Sequence, residues 1–226
     1  MNLTADQFPF VWLWPGFALY FLLLTWALGG LDLNELKRRR SRQHVFYAGS
    51  IAVMMLWLMR TGIQPGLGLH LLGISGLALI AGWRLAFLGA LFPLVGVVVL
   101  GHEPWQAAGM VAMVMVALPI AVTYGVWRLT ERFLPSNLFV YIFVCGFFGS
   151  AMAALLAHLA AAGLMLATGA TESATITRDY LVYLPLMLFP EALINGGLIS
   201  VLVAYRPEWL ATFNTRRYFG DFRGAS

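Results

Sequence analysis

The chain has 226 residues, 61% of them hydrophobic and only 11% charged. A soluble domain carries about 25% charged residues, so a water-soluble globule is excluded and an integral membrane bundle is expected. The net charge of +4 does not point to nucleic acid, because the basic residues stand between apolar runs; the expected surroundings are the lipid bilayer.

A hydrocarbon layer of about 30 Å takes roughly 20 helical residues. Apolar runs of suitable length lie near 10–30, 45–60, 67–83, 85–101, 106–127, 138–167 and 180–205. They are continuous rather than alternating, which favours helices over strands. One integral membrane domain, 1–226, is therefore expected, all-α, with about seven spans. Residues 1–9 form an external N-terminal segment, and 206–226 a cytoplasmic tail. Asp6 precedes the first run with no basic stretch before it, which argues against a signal peptide.

"DLNELKRRRSRQH" (Asp32–His44) follows the first run and reads as a cytoplasmic basic loop that anchors the topology. The second, third and fourth runs are short and contain Gly or Pro, so tilted or broken spans are expected there. The third carries His70 at its mouth, then Gly73, Ser75, Gly76, Ala78, Ala81 and Gly82. Small residues let helix backbones approach closely, so this span is expected at the centre of the bundle. An ionisable side chain in lipid is a functional candidate; His70 is read either that way or as a headgroup-level cap.

His102 and Glu103 follow the fourth run. Met54, Met55, Met59, Met110, Met113 and Met115 read as apolar filling rather than a soft metal path. His158 falls inside the sixth run and Glu191 inside the seventh. At such depth both must face the bundle or a water-filled cavity, as a packing cluster or as a relay. "TGATESATITRD" (Thr168–Asp179) reads as an external loop. Cys145 is the single cysteine, so an intramolecular disulfide and a multi-cysteine metal site within one chain are excluded.

Lys/Arg bias sets orientation. With the N-terminus outside, 12 of the 14 Lys and Arg fall on inner segments, and only Arg60 and Arg178 on outer ones. Seven spans, N-terminus outside and C-terminus cytoplasmic, satisfy this bias, with the protein multi-pass in the cell (inner) membrane. No G-x-x-x-x-G-K-[ST] phosphate loop and no G-x-S-x-G elbow is present, so no enzymatic activity is expected of the chain itself.

His70, His102, Met1, Asn2 and Asp6 share the outer side in this topology. An α-amine, a backbone amide and imidazoles are nitrogen donors suited to late first-row divalent metals, and a planar set favours Ni(II) or Cu(II).

Four segments resemble a known family. They are "MNLTADQFPFVWL", "LHLLG" with "AGW", "LGHEPWQAAGMVAMVMVALP" and "EALINGGLISVLVAYRPEWL". In order and spacing they are similar to the membrane permease component of cobalt/nickel energy-coupling-factor transporters, the CbiM/NikM type. The resemblance implies a subunit that captures a divalent transition metal, Ni or Co, as substrate. It implies a coupling membrane subunit and cytoplasmic ATPases as partners. It also implies that residues 1–9 fold into the bundle, with metal held by Met1, the second residue and the span-three histidine, here His70. The second residue is Asn2, where the family has histidine. The family's Gly-Gly after the outer histidine is Glu103-Pro104 here, and a polar Asn position is Val111. Asp6, His102 and Glu103 are the candidate substitute donors. Capture of another small solute on the same fold, or a scaffold or assembly role, are the alternatives.

Overall fold

The computed structural model describes residues 10–31, 40–59, 61–62, 68–169 and 172–219. The described residues are mainly helical, with one antiparallel ladder of two residues a side that pairs Thr61 with Leu69 and Gly62 with Gly68. The first helix, α1, is Phe10–Gly29, and α2 is Arg40–Leu58. Three short helices follow: α3 (Ile74–Ala81), α4 (Trp83–Gly89) and α5 (Leu91–Val99). Among the described residues three helices are long and apolar enough to cross a membrane: α6 (Trp105–Phe133), α7 (Leu138–Ala167) and the stretch Ser173–Tyr205. That stretch bends at Tyr180 and divides into α8 (Ser173–Asp179) and α9 (Leu184–Tyr205). A terminal turn, α10, is Thr215–Phe219.

The third apolar run departs from the expected span. Within it a helix covers Ile74–Ala81, with Gly73 before it at φ 64° and Gly82 after it at φ 85°. At 1.5 Å per residue α3 is about 12 Å long, too short to cross the hydrocarbon. The run at 85–101 is likewise two helices that meet at Ala90. The 168–179 segment is not all loop, since Ser173–Asp179 is helical. The central placement of the small-residue segment agrees with the expectation. Residues 74–80 are all buried, and α2, α6, α7 and α9 surround them.

Its C-terminal end is closed by the tail. Ala211 N–H donates to the Ile80 carbonyl at 2.9 Å, and the Thr212 hydroxyl donates to the Leu79 carbonyl at 2.8 Å. These are carbonyls that a helix end leaves without intrahelical partners. Trp127 Nε1 donates to the Thr212 carbonyl, and Tyr141 meets the Thr212 hydroxyl at 2.7 Å. Beyond them Arg217 and Tyr218 both bind Glu131. Burial first, and Glu131 beside it second, push the Tyr218 hydroxyl above the usual phenol range.

α1 lies against α6 at a glycine crossing. A Cβ at Gly109 would come within 2.5 Å of the Phe17 backbone nitrogen, and one at Gly16 within 2.8 Å of the Met110 nitrogen. Backbone stands on both sides, so no side chain can swing away. Gly109→Ala should therefore lower stability by about 1–3 kcal/mol, the usual cost of overpacking. Thermal unfolding in detergent measures it; an unchanged midpoint contradicts this close approach.

Candidate functional site

A helix that starts inside a membrane exposes amides that lipid cannot satisfy. Here α9 satisfies them with two side chains one turn apart. Leu72 N–H donates to Glu191 Oε2 and Gly73 N–H to Glu191 Oε1, both at 2.8 Å. Gly76 N–H donates to Asn195 Oδ1 at 2.8 Å. Asn195 Nδ2 in turn donates to Glu191 Oε1 at 2.9 Å and to the Glu191 carbonyl at 2.8 Å. Glu191 is 3% exposed. The carboxylate accepts three of these bonds, from Leu72, Gly73 and Asn195, and it stands at the positive end of the α3 dipole, which favours an anion. There is no room for more side chain: a Cβ on Gly76 would lie 2.5 Å from Asn195 Oδ1.

The same clamp stands next to His70. Trp57 Nε1 of α2 donates to the Leu72 carbonyl at 2.9 Å. The Trp57 ring meets the His70 ring edge-on, with centroids 5.1 Å apart. His70 therefore lies on non-helical backbone, not on a helix end as expected, and it is 3% exposed. Below the clamp, Thr123 donates to the Ser75 hydroxyl at 2.9 Å.

His158 is 1% exposed on α7. Its Nδ1 lies 2.6 Å from the Tyr180 hydroxyl, at the bend between α8 and α9. Glu103 is buried and His102 is exposed. Met1, Asn2 and Asp6 lie outside the described residues. Among the described residues no three His, Cys, Asp or Glu side chains gather into a metal-sized cluster. What His70 offers is one pre-positioned imidazole at the head of a broken helix. Asn195, Trp57 and Tyr180 escaped the reading of the sequence. Asn195 had a signal, since it stands one helical turn after an intramembrane carboxylate, where both side chains share a face.

Comparison with known proteins gives one match. The family model described as cobalt uptake substrate-specific transmembrane region matches residues 2–209. No curated protein and no solved structure matches the chain.

Glu191→Ala should orphan the Leu72 and Gly73 amides at a cost of about 1–3 kcal/mol each. Glu191→Gln should cost less, because one oxygen still accepts while its NH₂ faces a donor. The expected order of thermal midpoints is wild type, then Gln, then Ala. Equal midpoints for all three would remove Glu191 from the role of helix cap.

Proposed function

The chain belongs to the cobalt uptake substrate-specific transmembrane family, and from that premise we propose that it is the substrate-capture membrane subunit of an energy-coupling-factor-type transporter. Its substrate is a divalent transition metal, Co²⁺ or Ni²⁺, taken from outside the cell membrane. The observation that carries this reading is His70, a buried imidazole on non-helical backbone two residues before the Leu72 that Glu191 and Trp57 bind. Discontinuous helices with irregular backbone at depth are a recurrent way to build substrate sites in transporters. Met1 and Asn2 complete the donor set in this proposal, with Asp6, His102 and Glu103 as weaker candidates. The chain does no catalysis in this scheme. A coupling membrane subunit and cytoplasmic ATPases supply the work.

The proposed topology has seven passes, with the N-terminus outside and the C-terminus cytoplasmic. It counts the 70–81 segment and the α4–α5 pair as one pass each. Support comes from the distribution of Lys and Arg and from the tail bonded under α3. A second reading, capture of a different small solute on the same fold, is favoured by Asn2, whose carboxamide is a weaker donor than imidazole.

Elemental analysis of purified protein separates the two readings. Wild type should carry about one Co or Ni per chain, and His70→Ala should lose it. Extending the chain by one residue before Met1 should weaken binding. Metal-free wild type, purified after growth with both metals, favours the second reading.

The topology is open to cysteine labelling after replacement of Cys145. Thr171→Cys should react with an impermeant reagent in intact cells, and Ser41→Cys only after lysis. Labelling of position 41 in intact cells contradicts the orientation.

A further inference from the structure

The chain has four histidines. His44 and His102 are exposed, and His70 and His158 are buried. A cation-capture site built from this chain has only those last two as enclosed imidazoles.

Both stand at one end of the bundle. A Cβ at Gly146 of α7 would lie 3.3 Å from the Gly196 Cα of α9, which fixes the register of these antiparallel helices. From that crossing His158 is about 18 Å toward the end that carries the Thr61–Leu69 pairing, and Glu191 about 8 Å, at 1.5 Å rise per residue. Leu72 and Gly73 are bonded to Glu191. His70 lies between Leu69 of the Thr61–Leu69 pairing and Leu72, so it stands on that side of Leu72 by at most about 7 Å. His70 and His158 thus share nearly one depth. At that depth the buried arc of α7 is Ala157, His158, Ala161 and Ala162, and these alanines pack in the same apolar cluster as Trp57 and Leu72.

Tyr180 adds a second observation. Its hydroxyl engages His158 Nδ1 at 2.6 Å, and the bend between α8 and α9 holds it in place, fully buried. A metal-binding imidazole characteristically has one nitrogen fixed by a hydrogen bond and presents the other to the ion.

We propose that His158 is a metal-ligating residue, its Nε2 sharing with His70 the divalent cation that the chain captures. Tyr180 is its positioning residue. This rests on the metal-capture reading above. Neutral imidazoles suit Co²⁺, Ni²⁺ and Cu²⁺, and His158 gives the site a second imidazole that the chain's first nine residues do not contain.

The test uses the full chain in detergent, with Co²⁺ for affinity and Cu²⁺ as a probe whose pulsed-EPR spectrum counts coordinated imidazoles. Wild type should bind Co²⁺ and show two imidazoles with Cu²⁺. His158→Ala should show one imidazole and bind Co²⁺ at least about 100-fold more weakly, with His70→Ala behaving alike. Tyr180→Phe should keep two imidazoles and weaken binding about 10-fold to 100-fold, the usual effect of losing an orienting partner. Asn2→His should reduce the penalty of His158→Ala by restoring a donor, a coupling that a purely structural defect would not produce. Wild type with one imidazole, or His158→Ala with unchanged affinity, overturns the role of His158 and leaves metal capture standing. No metal bound by wild type overturns both.

Discussion

One carboxylate meeting two backbone amides organises the centre of this protein. An eight-residue helix has no independent stability, because nucleation costs more than so few hydrogen bonds return. Inside lipid the penalty is greater, since an unsatisfied amide costs several kcal/mol there. α3 exists because α9 supplies acceptors at its head: Glu191 for Leu72 and Gly73, Asn195 for Gly76. The dependence runs both ways. Glu191 is an acid at a depth where its charge is costly, and the amides and helix dipole offset that cost.

The far end of α3 is tied to the same part of the chain. The residues after α9 turn back and close the carbonyls of Leu79 and Ile80. The C-terminal part of the chain therefore caps the central helix at both ends. The tail is in turn fixed by Trp127 and Tyr141, so α6 and α7 take part in holding it. The segment that carries His70 is thereby braced along the whole length of the bundle. Trp57 completes the brace from α2.

How much of this was legible in the sequence follows from what hydropathy records. Composition announces a helical membrane protein, and the long runs 138–167 and 180–205 hold helices close to the expected bounds. The 67–83 run reads as a span because extended chain and helix bury apolar side chains equally well, and periodicity does not separate them in a buried segment. The breaks are marked only by Gly73 and Gly82, at φ 64° and 85°, and glycines are also what close helix packing requires. Burial of Glu191 and His158 was readable from depth alone. Their partners were not: Tyr180 stands in a stretch read as the start of a span, and Thr212 in a tail read only as cytoplasmic. Hydrogen bonds between residues more than a hundred positions apart, such as Leu72 to Glu191, leave no local pattern.

A braced central segment also bears on which ion the site can prefer. Raw affinity for divalent metals follows the Irving–Williams order, so discrimination between neighbours in that series rests on donor geometry. Geometry discriminates only if the donors cannot relax onto the wrong ion, and sites on rigid supports meet that condition better than sites on loops. On the proposed reading, His70 is such a donor, since the backbone two residues beyond it is tied by the Leu72 and Gly73 bonds to Glu191 and by the Trp57 bond. The cap of α3 and the selectivity of capture are then a single physical property. A substitution at Glu191 that still folds should blur the choice between cobalt and nickel before it abolishes binding.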